Sequence, residues 1–190
     1  MTTPDRVETR RADPLTVLES LVAGLRSAIP SGTGDRQAAE RAAGQLRDNL
    51  PPPEILTDTQ RIGDPGGYVQ HVLHVDTDIP FSVVALVWRA GQATPIHDHV
   101  SWCVVGVIQG EEHETRYDLR RTGSETYLVP GSTTTNPTGS VCGFAPPGDI
   151  HLVRNTGNTT AISLHIYGAD IMQLGSSVRR AYDLPTRHRR

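Results

Sequence analysis

Three consecutive prolines at positions 51–53 divide this 190-residue chain into two parts of different character. Proline lacks the amide hydrogen that helix propagation requires, so a run of three ends any helix before it. The residues before the prolines have helical spacing, whereas those after them form short β-favouring stretches separated by turn-forming residues. A long series of short strands predicts a sandwich or a small barrel.

Two helices are predicted before the prolines. Residues 14–29 carry leucines at helical spacing, with Asp13 in the N-cap position and Pro14 in the first turn. Residues 35–50 form a second helix, which is rich in alanine. We expect both helices to pack on the outside of the β-rich part, although the alanine-rich helix also suits a partner surface.

Eight short stretches with strand propensity follow the prolines. They are GYVQHVLHVD, FSVVALVWRA, SWCVVGVIQG, HETRYDL, SETYLV, GSVCGFA, HLVRNTG and TAISLHIYG. Their number and spacing predict an all-β jelly roll or small barrel. The segment VRRAYDLP, near the C-terminus, is predicted to form a last helical turn.

The length predicts one domain with appended segments. We expect a flexible tail at residues 1–13, a helical segment packed on the barrel at 14–53, the β domain at 54–185 and a flexible basic tail at 186–190.

Composition argues against several classes of function. The formal net charge of −3 favours neither nucleic acid nor an anionic membrane surface as a partner. No apolar run reaches the roughly 18 residues of a transmembrane helix, and the first residues lack the apolar stretch of a secretion signal. Two cysteines do not make a disulfide framework. We therefore expect a cytoplasmic protein that binds neither nucleic acid nor membrane.

The segment PIHDHV contains two histidines one residue apart. Because side chains alternate along a strand, His97 and His99 point to one face, about 7 Å apart along the strand, and Asp98 points to the other. Two imidazoles in this arrangement can converge on one metal ion. An isolated pair of this kind is nevertheless more often structural than a metal site.

Two motifs surround these histidines and a third. The first, G-x5-H-x-H, begins at Gly91, and the second, P-x-G-x2-H-x3-N, runs from Pro146 to Asn155 and contains His151. Glycine and proline allow the tight turns that close a narrow barrel. In this order, the two motifs resemble those of the cupin superfamily over roughly residues 65–170.

The resemblance implies a cupin double-stranded β-helix, a jelly-roll barrel, here preceded by two α-helices. It also implies a metal ion held by His97, His99 and His151. The chain departs from the cupin pattern in two places. Gly139 lies one residue too far from the proline of the second motif, and Cys103 stands where most cupins carry a glutamate.

Three neutral imidazoles leave the double positive charge of a bound ion uncompensated, which suits an anionic ligand. Imidazole binds zinc as well as iron, so the residues do not choose the metal. Alternatives to an oxygenase are therefore a metal-dependent hydrolase or isomerase, and a non-catalytic cupin that binds a small acid.

Three longer segments, TPIHDHVSWCVVGVIQGEE, PPGDIHLVRN and SLHIYGADI, together resemble the cysteine dioxygenase family. This resemblance implies Fe(II) and the oxidation of a small thiol-carboxylate by O2 to its sulfinic acid, in a monomer or weak homo-oligomer. It also implies catalytic roles for Ser163, His165 and Tyr167. Their i, i+2, i+4 spacing places all three on one strand face.

Cys103 has two interpretations. In some members of the family a cysteine near this position forms a thioether with the active-site tyrosine, which here implies a Cys103–Tyr167 crosslink. The alternative is a small buried thiol in the barrel wall.

The resemblance also bears on the choice of thiol. Members that use cysteine place an arginine in an early strand to hold the carboxylate, and here that position holds Gln70, as in the 3-mercaptopropionate type. Those relatives supply an arginine from a later segment, which implies Arg180 or Arg179. The alternative for both arginines is an exposed helical position. The sequence therefore favours 3-mercaptopropionate or a close analogue over cysteine.

Overall fold

A computed structural model describes residues 13–188. Of the two expected tails, at 1–13 and 186–190, residues 1–12 and 189–190 lie outside the described residues, whereas Thr186 pairs with Leu128 and Arg187 contacts Glu125. The helices are α1 (Pro14–Ala28), α2 (Asp35–Asp48) and α3 (Ile171–Leu174). The strands are β1 (Val69–Asp76), β2 (Phe81–Trp88), β3 (His97–His99), β4 (Cys103–Gln109), β5 (Glu111–Thr122), β6 (Glu125–Pro137), β7 (Val141–Phe144), β8 (His151–Arg154), β9 (Ala161–Tyr167) and β10 (Val178–Ala181).

The strands form two five-stranded antiparallel sheets. The helix-covered sheet has the order β1-β2-β9-β4-β7, and the histidine sheet has the order β10-β3-β8-β5-β6. The pairs β1–β2 and β5–β6 are consecutive in the chain, whereas the other neighbouring strands, such as β2 and β9 or β3 and β8, are distant in it, as in a double-stranded β-helix. The predicted all-β cupin barrel with two N-terminal helices is confirmed.

Helices α1 and α2 cover the outer face of the helix-covered sheet. The alanines of α2 are buried there, and two strand glycines permit the close approach. A Cβ on Gly106 would lie 2.7 Å from Leu46, and one on Gly143 would lie 3.3 Å from the Cβ of Ala43. The alanine-rich face is therefore used within the chain. No helix within residues 13–188 is long and apolar enough to cross a membrane.

The inner faces of the two sheets enclose a second cluster of buried side chains. Val84, Leu86 and Trp88 of β2 belong to it, whereas Val83, Ala85 and Val87 belong to the core under the helices. Strands β2 and β9 are buried on both faces. The sequence of β2 is apolar almost throughout, whereas β9 carries Ser163, His165 and Tyr167 on its inner face. The interior of the barrel is the space that the candidate site occupies.

The predicted helical turn at VRRAYDLP is wrong, because Val178–Ala181 is strand β10 and pairs with β3. Its position is fixed by Asp98, which accepts hydrogen bonds from Arg179, Arg180 and Tyr182. This long-range pairing overrides the local preference of the segment.

Candidate metal centre and active site

Three histidines meet inside the barrel. His97 and His99 lie on the same face of β3, and His151, at the start of β8, is the direct cross-strand partner of His97. All three are buried, and their candidate ligand atoms lie within 4.8 Å of one another. Small ring rotations bring three nitrogens at this separation into contact with a single ion, since metal–nitrogen distances are about 2.1 Å.

Each imidazole of this three-histidine cluster is held from outside through Nδ1. His97 Nδ1 donates to the carbonyl of Pro95 at 3.0 Å. His99 Nδ1 lies 3.1 Å from Asp149 Oδ2, and His151 Nδ1 lies 2.8 Å from Glu114 Oε1. With the proton on Nδ1, each Nε2 keeps its lone pair for a metal ion.

Burial keeps His97 and His99 unprotonated. Burial, together with the neighbouring His151 and His99, lowers the pKa of His97 to about 4. The pKa of His99 is also lowered, chiefly by burial, although Asp149 opposes the shift. These two imidazoles are therefore neutral near pH 7, which is the form that binds metals.

The surrounding residues fit a divalent metal bound by nitrogen ligands. Within residues 13–188, the cluster that could hold an ion consists of these three histidines, without a carboxylate. Asp149 and Glu114 are engaged with the outer nitrogens, and Cys103 is fully buried in the opposite sheet. Asp98 lies on the other face of β3, as its alternation with the histidines predicts.

A hydrogen-bonded chain runs along the inner face of β9, beside the cluster. Ser163 Oγ lies 3.0 Å from His165 Nε2, and His165 Nδ1 lies 3.1 Å from the Tyr167 hydroxyl. Trp88 Nε1 donates to Ser163 Oγ at 3.2 Å. The Tyr167 ring stacks 6.2 Å from that of His99. The three residues predicted from SLHIY thus form one connected chain that ends at the cluster.

His165 is neutral as well. Burial lowers its pKa to about 3, and the three clustered histidines contribute to the shift. Burial also raises the pKa of Tyr167 far above its usual range. The two titratable groups of this hydrogen-bonded chain, His165 and Tyr167, are therefore uncharged near neutral pH.

Residues 62–179 match the sequence model of a family described as cysteine dioxygenase type I. The match covers more than half of the chain and includes the three clustered histidines and all of β9. The chain belongs to the cysteine dioxygenase type I family. Membership indicates a dioxygenase of the thiol-oxidising class with a cupin fold.

Three solved structures similar to this chain are double-stranded β-helix or cupin proteins. A protein with a double-stranded β-helix domain from Klebsiella pneumoniae is 19% identical, with 60% of this chain and 86% of that chain covered and a TM-score of 0.47. An RmlC-like cupin from Desulfovibrio desulfuricans is 20% identical, with 56% and 87% covered and a TM-score of 0.41. A cupin superfamily protein from Desulfitobacterium hafniense is 15% identical, with 57% and 83% covered and a TM-score of 0.43.

Cys103 and Tyr167 are direct partners across β4 and β9. Cys103 Sγ also lies 4.0 Å from His165 Nδ1, and burial raises the pKa of the thiol well above its usual value. The two residues of the crosslink implied by the family resemblance are thus neighbours in the fold.

Gln70 lies on the inner face of β1. It pairs with Leu86, which pairs in turn with Ser163, so all three side chains share one face of the helix-covered sheet. Gln70 is exposed, whereas Leu86 and Ser163 are buried. Gln70 is therefore placed at the rim of the barrel, on the side that carries the β9 chain.

Arg179 and Arg180 are not brought to the cluster. Their guanidinium groups contact Asp98 Oδ2 at 2.6 Å and 3.1 Å, on the opposite face of β3 from the histidines. Burial raises the pKa of Asp98, but hydrogen bonds from Arg179, Tyr182 and Arg180 outweigh it and lower the value to about 2. Both arginines thus fasten β10 to the back of the histidine strand.

Three acidic residues at the site were missed from the sequence. Asp149 and Glu114 orient two of the clustered imidazoles, and Glu112 lies buried beside Ser163. A signal for two of them exists, because Glu112 and Glu114 alternate on one strand and so share a face. Asp149 precedes His151 in the second motif, but its contact with His99 depends on the packing of separate segments.

Proposed function

We propose that this protein is an Fe(II)-dependent dioxygenase that oxidises a small mercapto-carboxylic acid to its sulfinic acid. The favoured substrate is 3-mercaptopropionate or a close analogue, ahead of cysteine. The reaction, R–SH + O2 → R–SO2H, conserves all atoms and needs no further reductant. The observation that carries the proposal is a buried cluster of three imidazoles without a carboxylate ligand.

Ligand charge explains why this cluster suits a thiol. Neutral imidazoles leave the charge of a divalent ion uncompensated, so an anionic ligand is favoured beside them. When bound, Fe(II) supplies the centre at which a thiol loses its proton and O2 reacts with the sulfur. The family match supports iron chemistry over zinc hydrolysis.

The hydrogen-bonded residues Ser163, His165 and Tyr167 of β9 position the bound ligand and donate a hydrogen bond to it. Tyr167, next to His99, is placed to hold a hydrogen bond to the ligand beside the cluster. His165 orients the Tyr167 hydroxyl, and Ser163 fixes the His165 ring from the other nitrogen. Because burial suppresses ionisation of both rings, Tyr167 acts as a hydrogen-bonding phenol and His165 as a neutral imidazole.

Gln70 is assigned to the substrate carboxylate. Its amide donates a hydrogen bond without forming an ion pair, which suits a carboxylate at the open rim of the barrel. Arg180 or Arg179 reaches the same carboxylate only by releasing Asp98, so the arginines take second place in this assignment.

The mass of the intact protein shows whether the proposed Cys103–Tyr167 thioether forms. The crosslink would join Cys103 Sγ to a ring carbon of Tyr167 and remove two hydrogen atoms, with O2 as the oxidant. Intact-mass measurement of the iron-loaded protein after turnover separates the two interpretations. A loss of about 2 Da that is absent from Cys103→Ser shows the crosslink, and an unchanged mass shows a free buried thiol.

The test of the function is metal analysis combined with oxygen uptake. The metal-free full chain is loaded anaerobically with Fe(II) or, separately, with Zn(II), and then mixed with 3-mercaptopropionate, cysteine, cysteamine or propionate. We expect uptake only with Fe(II), fastest with 3-mercaptopropionate, and with one sulfinate formed per O2. Cysteamine lacks the carboxylate and propionate lacks the thiol, so they separate the two recognition elements.

Other outcomes identify the alternatives. Zinc retained through purification, with no uptake after iron loading, points to a hydrolase, an isomerase or a binding protein and contradicts the proposal. Uptake that does not depend on a thiol points to another oxygenase.

We also propose a cytoplasmic location and a monomeric or weakly associated state. The two cysteines are free, in agreement with a reducing compartment. Cell fractionation checks the location, and sedimentation over a range of protein concentrations checks the association.

A further inference from the structure

Glu112 is a buried acid that the metal cluster does not use. It is 2% exposed on the inner face of β5, and its Oε1 has no hydrogen-bond partner among the described residues. Ser163 and Trp88, which belong to the opposite sheet, lie close enough to the Glu112 carboxyl to lower its pKa. A buried carboxyl with an unpaired oxygen is costly, so its place at the end of a proton-carrying chain calls for a function.

We propose that Glu112 is a positioning residue that sets the direction in which protons point along Ser163, His165 and Tyr167. The chain ends at Glu112 on one side and at the three-histidine cluster on the other. Every member has both a donor and an acceptor, so the hydrogen bonds can run in either direction. The state of the acid at one end then decides what the phenol offers at the other.

A protonated Glu112 directs the hydrogen bonds towards Tyr167. Its carboxyl donates to Ser163 Oγ, and the Ser163 hydroxyl donates to His165 Nε2. The Nδ1–H of His165 then donates to the Tyr167 oxygen. The hydroxyl proton of Tyr167 is left free to point at a ligand beside the cluster.

An ionised Glu112 reverses the direction. Its carboxylate accepts from Ser163, Ser163 accepts from His165 Nε2–H, and His165 Nδ1 accepts the Tyr167 hydroxyl. Tyr167 then has no proton to offer the ligand. Between the two states each group passes one proton to its neighbour, and one proton in total leaves the protein.

The groups around Glu112 place this change near neutral pH. Burial raises the pKa of Glu112 to about 7, opposed by hydrogen bonds from Ser163 and Trp88 and assisted by Glu114 on the same strand. Cys103, Cys142 and Tyr167 approach from the other sheet, and all three have raised pKa values, so they stay uncharged. The carboxyl is thus protonated below about pH 7 and ionised above it.

The test is the tautomer of His165, read from the ¹⁵N chemical shifts of the histidine-labelled, metal-free full chain. We expect the Nδ1–H form to predominate below pH 7 and the Nε2–H form above it. The His165 signal is identified by its loss in His165→Gln. This measurement needs no metal and no substrate, so it is independent of the proposed function.

Three variants make the measurement decisive. Glu112→Gln keeps the shape but cannot ionise, so the tautomer ratio should stop changing through pH 7. Ser163→Ala interrupts the chain and should have the same effect. Glu111→Gln alters a neighbouring acid that contacts His113 at the surface, and it should leave the transition unchanged. A constant ratio in the wild type, or an unaltered transition in Glu112→Gln, overturns the proposal.

The catalytic consequence rests on the proposed function. In the iron-loaded enzyme, kcat should fall above pH 7 and approach a tenfold loss per pH unit, while KM is retained. The fall should disappear in Glu112→Gln and persist in Glu111→Gln. A tautomer change without thiol oxidation would refute the function alone. Thiol oxidation with a constant tautomer would refute the role of Glu112 alone.

Discussion

The two faces of strand β9 carry side chains of different character. The outward face carries Ile162, Leu164 and Ile166, which belong to the core under the helices. The inward face carries Ser163, His165 and Tyr167, which are equally buried but form a polar chain. The seven consecutive buried residues of β9 thus contribute to the apolar core and to the polar chain in turn, because successive side chains point to opposite faces.

The difference shows how the barrel divides stability from chemistry. Outward apolar side chains stabilise the fold by leaving water. Inward polar side chains lose their hydrogen bonds to water, and their hydrogen bonds to one another offset only part of that free-energy cost. We therefore expect substitutions on the outward face to reduce stability and substitutions on the inward face to reduce activity.

The largest expected effect is that of His99→Ala on activity. Removal of one of three ligands should abolish stoichiometric iron binding and lower thiol oxidation by at least about 10³-fold, or about 4 kcal/mol. The fold should survive, because β3 keeps its pairing with β8 and β10. Iron content, oxygen uptake and circular dichroism check these outcomes. His113→Ala removes a histidine outside the cluster and should retain both iron and turnover; wild-type turnover in His99→Ala contradicts the ligand assignment.

The next effect is that of Leu164→Ala on stability. Leu164 is fully buried under the helices, and its truncation should lower the free energy of unfolding by about 2–5 kcal/mol. Iron content and kcat should remain near wild type at temperatures where the variant is folded. Denaturant titration and oxygen uptake on the same preparation measure both. A large loss of kcat at full iron occupancy would show that the two faces are coupled.

The three-histidine cluster was predictable because a local spacing coincides with a resemblance to two family motifs. His97 and His99 alternate on one strand, and the turn residues around His151 fit a known motif. In the SLHIY segment, the spacing alone likewise predicts that Ser163, His165 and Tyr167 lie on one strand face. Spacing within a few consecutive residues shows which side chains share a face, and the family resemblance supplies their roles.

The contacts between separate segments were not predictable in this way. The segment VRRA forms a strand because the carboxylate of Asp98 and the edge of β3 are available to it, and both are about 80 positions earlier in the chain. The contact of Glu112 with Ser163 depends on how β5 of one sheet faces β9 of the other. Local propensity does not report the packing of two sheets.

Asp98→Asn tests the outer side of β3 against its histidine side. The loss of charge-assisted hydrogen bonds to β10 should lower the free energy of unfolding by about 1–2 kcal/mol at pH 7, since the arginine partners are half exposed. Iron affinity should fall by less than in His99→Ala. Chemical denaturation and metal competition measure the two effects.

The difference in the free energy of unfolding between the wild type and Asp98→Asn should depend on pH in one direction. The pKa of Asp98 is lowered in the folded protein from 3.8 to about 2, so its contribution is complete above about pH 4 and is lost as the pH falls towards 2. The wild type and Asp98→Asn should therefore converge in stability below about pH 4. A gap that stays constant down to pH 2 would show that Asp98 does not act through its charge.

The smallest expected effect concerns the rim of the inward face. The family resemblance implies that members using cysteine carry an arginine at the position of Gln70. Gln70→Arg should therefore raise the ratio of kcat/KM for cysteine to kcat/KM for 3-mercaptopropionate about tenfold, or about 1.4 kcal/mol. Stability should change little, because Gln70 is exposed. Gln70→Met, which has similar length and no charge, should not raise the ratio. An unchanged ratio in Gln70→Arg would remove Gln70 from the carboxylate site and confine substrate recognition to groups deeper in the barrel.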